Sequence, residues 1–274
     1  MIALLLTLFS TPSFAYIPEY SVIASRAAEQ HGKGAYQIEQ DVTFKRESES
    51  FTVKETWLVT GEGGMRVTLE GRGPLKGLIQ GPLVYDGGTK SFVEGISSAR
   101  AQRLGEDWLE PFFHFRSSKY FRSRLVSMKI APPESLNDRP GLNVEGPPKY
   151  APPNFIRLSR AGGSVSWAIG AAPTAGPTPT VWVEQDQFVV RKVRGANQTV
   201  MKADDYQKFD TSMWYPKNIT YSFGPYTVRT TTLSVKSLGK VGGDRLKAGS
   251  LVGSRDALKI PDMDGVREFY SRFR

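Results

Sequence analysis

The chain has 274 residues, of which 39% are hydrophobic and 23% charged; this balance excludes disorder throughout and fits one large domain or at most two. There is no cysteine, which excludes disulfides, thiolate catalysis, Cys-ligated metals and the lipidated Cys of a lipoprotein anchor. The formal net charge is +9, but the cations form no run. They are spread along apparent strands, as at Arg157, Arg160, Arg191, Lys192 and Arg194, a pattern of a solvated face or of peripheral contact with lipid headgroups, not of nucleic-acid binding.

Residues 1–15 read as a secretory signal peptide. An apolar run over 2–9 is broken by Thr11, Pro12 and Ser13, and Ser13-Phe14-Ala15 is a small-x-small cleavage site, although no Lys or Arg precedes the run. The run is too short to span a bilayer as a helix. Export without cysteine suits a bacterial periplasm. A short helix is expected over 25–30, ended by Gly32 and Gly34.

Strand signals follow. Tyr36, Ile38, Val42 and Phe44 alternate with polar residues, as do Phe51, Val53, Trp57 and Val59, then Met65, Val67 and Leu69. Asp86-Gly87-Gly88 between two apolar runs marks a hairpin. The first third is therefore an antiparallel meander. The character changes at Glu106. Trp108, Leu109, Phe112, Phe113 and Phe115 cluster, and Phe121, Leu125 and Met128 recur at helical spacing, so one or two amphipathic helices are expected over 106–130. Residues 132–154 carry Pro132, Pro133, Pro140, Pro147, Pro148, Pro152 and Pro153 and form a loop insertion. Strands resume at Phe155 and continue to about 238. From 239 the chain is a polar, glycine-rich extension ending in an amphipathic helix. Val266, Phe269, Tyr270 and Phe273 share one face of it, Asp262 or Asp264 caps its start, and Arg272 and Arg274 complement its dipole.

No catalytic constellation emerges, so no enzyme, cofactor or metal site is expected. His31 and His114 are the only histidines, no nucleophile elbow or P-loop is present, and Asp204-Asp205 point to opposite faces of a strand. What remains is apolar surface. A two-faced sheet with few helices to cover it either leaves an apolar hollow or is completed by them as a dry core.

The order of elements resembles the periplasmic outer-membrane lipoprotein carriers, the LolA-like family with its lipoprotein-sorting relatives. The likeness runs over about 22–238. It is carried by Tyr36-Gln37-Ile38-Glu39-Gln40, Glu55-Thr56-Trp57-Leu58-Val59, Met65-Arg66-Val67, the hairpin Val84–Val93, Val181-Trp182-Val183-Glu184, Asp205-Tyr206-Gln207-Lys208-Phe209 and Trp214-Tyr215-Pro216-Lys217. The resemblance implies a mainly β (α+β) fold: an unclosed antiparallel half-barrel over 16–238, covered by a few helices. It implies a hollow that holds the acyl chains of a lipid or lipidated protein beneath a lid of Trp108, Leu109, Phe112, Phe113, Phe115, Phe121, Leu125 and Met128. It further implies that Arg66 locks the lid. A monomer is expected, and the other expectation is an envelope sensor or interaction protein that docks a partner by Val266, Phe269, Tyr270 and Phe273.

Overall fold

The computed structural model describes residues 17–46, 49–60, 64–94, 99–136, 155–173, 176–209, 213–239, 241–251 and 257–274. The expected leader at 1–15 and most of the proline-rich insertion, 137–154, lie outside them. Helix α1 (Tyr20–Glu29) precedes strands β1 (Ala35–Arg46), β2 (Glu49–Val59), β3 (Met65–Gly71), β4 (Gln80–Asp86), β5 (Thr89–Phe92) and β6 (Arg100–Arg103). A 3-10 turn at Glu110–Phe113 and helix α2 (Ser118–Ser127) follow. The strands resume as β7 (Ile156–Ala161), β8 (Ser164–Ile169), β9 (Thr180–Glu184), β10 (Val190–Arg194), β11 (Val200–Phe209), β12 (Met213–Phe223) and β13 (Tyr226–Leu238), and helix α3 (Val266–Arg272) ends the series.

All thirteen strands join one antiparallel sheet in the order β6-β5-β4-β3-β2-β1-β13-β12-β11-β10-β9-β8-β7. Two hairpin meanders are thus fused where β1 pairs with β13, and β6 and β7 remain as edges, so the sheet is an open half-barrel. Edge strand β6 is exposed and reads Arg-Ala-Gln-Arg, a charged edge that discourages pairing with another chain. Period-two patterning sets the faces. Val53, Trp57 and Val59 in β2, Met65, Val67 and Leu69 in β3, and Met213, Tyr215, Ile219, Tyr221 and Phe223 in β12 are buried on the inner face.

That face shares a single core with α1, the 108–131 segment and α3. Helix α1 begins earlier than its sequence pattern suggested, because Ile23, Ala24, Ala27 and Ala28 pack inward as one stripe. Within 106–130 only Ser118–Ser127 is α-helical; Pro111 opens a tight 3-10 turn that folds the aromatic run back on itself.

The extension is part of this core. It meets the start of β4, where Gln80 and Lys259 form an antiparallel bridge through both backbone groups at 3.2 and 2.9 Å. Gly81 permits that approach: its φ is +110°, and a Cβ there would lie 2.8 Å from the Ala257 oxygen and the Leu258 Cα. Neither Asp262 nor Asp264 caps α3. Gly265 holds that position at φ 79° with no side-chain cap, and Asp262 instead pairs with Arg267 at 2.7 Å.

Candidate functional site

The lid residues expected from sequence come together. Trp108, Leu109, Phe112, Phe113, Phe115, Phe121, Leu125 and Met128 are all buried and pack against the inner face of the sheet. Phe115 stacks on Phe121 with centroids 4.4 Å apart, and Trp108 stacks on Tyr85, which in turn stacks on Trp57. Arg124 donates to the carbonyl oxygens of Gly105, Glu106 and Trp108 and so fixes the loop that leads into the lid.

Arg66, expected to lock this lid, faces away from it in the structure. It lies on the opposite face of β3 from Met65, Val67 and Leu69, and its Nη1 reaches the Arg245 oxygen and Ser250 Oγ of the extension. Strand alternation decides this: residues next to each other in a strand point to opposite faces. The contacts that do hold the segment come from elsewhere. His31 Nδ1 is 2.6 Å from the Phe115 oxygen, and Arg272 pairs with Asp107 at 2.8 Å.

The hollow is filled by α3. Val266, Phe269, Tyr270 and Phe273, read from sequence as a docking face, are at most 2% exposed. Phe269 meets Phe44 and Tyr221 edge-on, and Phe273 packs on Tyr221 and Phe223. The face is therefore covered by the chain's own sheet. Lys90 anchors the backbone of this segment. Its Nζ donates to the oxygens of Tyr270, Ser271 and Arg274 at 3.2, 3.3 and 2.6 Å, and burial pulls its pKa down to about 8.

A polar cluster sits at the centre of the apolar chamber. Arg274 donates to the Phe273 oxygen at the end of α3 at 3.1 Å, and its side chain is fully buried between two carboxylates. Its Nε is 3.0 Å from both Glu55 oxygens and its Nη1 is 3.1 Å from Glu110. Glu55 also accepts from Gln40 and Trp57 at 2.7 and 2.9 Å. Glu110 lies 3.2 Å from His114 Nε2 and accepts from the Tyr215 hydroxyl at 3.2 Å. Burial works to raise the Glu110 carboxyl, but Arg274, His114 and Tyr215 together hold it below its ordinary value. Burial likewise opposes the Arg274 charge, and Glu55, Tyr221 and Glu110 more than restore it, so the guanidinium stays protonated.

Sequence reasoning passed over this cluster, yet a signal was present. Gln40 falls in phase with Ile38 and Val42, and Glu55 with Val53 and Trp57, so both sit on the apolar face, and they are register partners. A carboxylate in phase with a core stripe marks a buried charge that needs a partner.

His31 gives an acid-sensitive joint between α1 and the lid. Burial depresses its pKa from 6.5 to about 3, outweighing the hydrogen bond to Phe115. The unfolded chain then binds one more proton than the folded chain between those values, so stability falls as pH drops through 6.5. Going from pH 7 to 5 should remove about 2 kcal/mol through this group. Urea unfolding at both pH values should show His31→Asn losing less with acid than the native chain by that amount; equal losses would exclude the assignment.

On the outer face, strand register aligns Arg157, Ala168, Trp182, Lys192 and Lys202 in one row. Lys192 and Arg194 lie over the Trp182 ring at 4.6 and 5.4 Å. Arg191 is paired with Glu184 instead. Among the described residues no group of three or more His, Asp or Glu side chains is placed to hold a metal ion. A groove of about 860 Å³ beside the lid opens between the 86–89 turn, Arg103, Trp108, Tyr120 and Arg124.

No family model matches the sequence, and no curated protein does. Solved structures do match. One is described as an outer membrane lipoprotein-sorting protein domain from Vibrio parahaemolyticus, at 12% identity and a TM-score of 0.50, covering 85% of this chain and 97% of that one. Another is a LolA superfamily protein from Nitrosomonas europaea, at 9% identity and a TM-score of 0.53, covering 84% of this chain and 98% of that one. At such identities the likeness is one of fold: this chain has the LolA-like open half-barrel.

Proposed function

We propose, from the LolA-like fold as premise, that this protein is a periplasmic carrier that binds a lipid or lipidated protein and holds its acyl chains between the curved sheet and the lid. The observation that carries the reading is the filling of the chamber. An apolar inner face and an aromatic lid enclose a space whose occupant is one short segment of the same chain, 266–274, joined to the rest through Gly265. Exchange of that segment for an acyl chain would keep the apolar surface covered, each buried methylene contributing about 0.8 kcal/mol. Binding needs no cofactor and no chemical step. The protein is read as a binding protein and not an enzyme; the Glu110–His114 pair is engaged by Tyr215 and Arg274 as part of the buried cluster.

Displacement of α3 also sets the affinity. Apparent binding weakens in proportion to how rarely the chamber is open. The docking reading for α3, in which it captures an envelope protein, would require the same displacement, because the apolar face is otherwise covered. The test uses a probe without charge. N-phenyl-1-naphthylamine should gain fluorescence in the presence of the full-length protein, and lipid extracted from the purified protein should be seen by mass spectrometry. Neither signal appearing would rule the carrier reading out.

A further inference from the structure

We propose that the hollow selects a cationic amphiphile, whose ammonium or guanidinium head takes the place of Arg274 between Glu55 and Glu110 while its apolar chain takes the place of Phe269 and Phe273. The inference rests on the carrier reading and adds the chemistry of the ligand's head to it.

Arg274 already displays what the site accepts. Its guanidinium contacts both carboxylates and lies over Trp57 at 5.2 Å and Tyr221 at 5.5 Å from the ring centroids. The Phe269 ring of α3, 4.9 Å away, leaves with the segment, but the other parts of this cage belong to the sheet and to the 110–114 turn. Glu55 and Trp57 are in β2 and Tyr221 is in β12. Glu55 is oriented by Gln40 and Trp57, and Glu110 by His114 and Tyr215, so both carboxylates keep their hydrogen-bond partners when the segment leaves. The Tyr85 hydroxyl is a further sign of spare capacity. Tyr85 is fully buried between Trp57 and Trp108, and its oxygen has no hydrogen-bond partner among the described residues.

Charge decides the ligand class. Once Arg274 departs, two carboxylates are left in an apolar chamber. A neutral chain leaves them to take up protons, a fatty acid adds a third anion whose one cationic counterpart is Lys90, freed of its carbonyl partners by the same departure, and a cationic head pairs with both carboxylates at once. Aromatic walls strengthen the same preference, because their ring faces attract cations. An ordinary acyl carrier needs no such group, since apolar lining alone holds a chain.

Isothermal titration of the full-length protein at pH 7 and low salt compares three twelve-carbon probes, each below its micelle concentration: dodecylammonium, dodecyl maltoside and dodecanoate. Dodecylammonium should bind at least tenfold more tightly than dodecanoate, with the maltoside between them. Glu55→Gln/Glu110→Gln should shrink the tenfold gap to less than threefold, its fold checked by near-ultraviolet circular dichroism; if that variant does not fold, the ranking on the native chain decides the question. Dodecanoate binding as tightly as dodecylammonium, the maltoside binding most tightly, or a folded double variant that keeps the gap would overturn the head-group inference. The neutral naphthylamine probe separates the two failures. Uptake of that probe with no charge preference leaves the carrier reading standing, and no uptake of any of the four compounds removes both.

Discussion

Arg274→Met should destabilise the protein by about 3–5 kcal/mol, a large part of the total stability of a domain of this kind. Methionine fills much of the same volume, so the loss is one of charge and hydrogen bonding more than of packing. Two carboxylates with no exposed surface would remain without their cation. Glu110 would respond by taking up a proton, because the burial that works to raise its pKa is opposed chiefly by Arg274. The variant should therefore recover part of its stability in mild acid, in the opposite sense to the loss expected from His31. Arg274→Lys should not rescue it, since one ammonium cannot reproduce the fork that meets Glu55 through Nε and Glu110 through Nη1. Urea unfolding of the native chain, both single variants and Glu55→Gln/Arg274→Met measures these differences. A loss below about 1 kcal/mol for Arg274→Met would mean that the ion pairs barely offset their own desolvation.

How much of this was legible in the sequence follows from which contacts are local. Alternation along 36–44, 51–59 and 65–69 defines strands and faces residue by residue, and the Asp86-Gly87-Gly88 turn fixes a hairpin, so the sheet could be read directly. The apolar stripe of α3 was legible too, but a stripe states that a face is covered and not what covers it. The same logic explains Arg66. Its placement opposite Met65, Val67 and Leu69 was visible from alternation, whereas its partners, Arg245 and Ser250, lie in a stretch with no periodic pattern. Glu55 and Arg274 are 219 residues apart, and no local rule pairs them. Each is anomalous in its own setting: Glu55 interrupts an apolar stripe, and Arg274 follows one. Two anomalies of opposite charge are the trace that such a buried pair leaves in one sequence.

Phe269→Ala should cost about 3–5 kcal/mol, as expected for a fully buried phenylalanine whose neighbours cannot collapse onto the space it leaves. Phe269 touches Phe44 from β1, Tyr221 and Phe223 from β12, Tyr270 of its own helix and Phe273 just beyond it, so its side chain is the wedge that keeps α3 in the hollow. The informative result lies in the second readout. Loss of the wedge weakens the closed arrangement relative to the open one, so uptake of N-phenyl-1-naphthylamine should rise even as the protein becomes less stable. Phe155→Ala provides the control. Phe155 is also buried in the core but packs edge-on against Tyr20 of α1 and makes none of the ring contacts that hold Phe269, so its loss should lower stability without raising uptake. If both variants take up the probe alike, general loosening of the core is the cause. If Phe269→Ala alone does so, α3 is a displaceable occupant, and the energy that holds it in place is the energy a ligand must match.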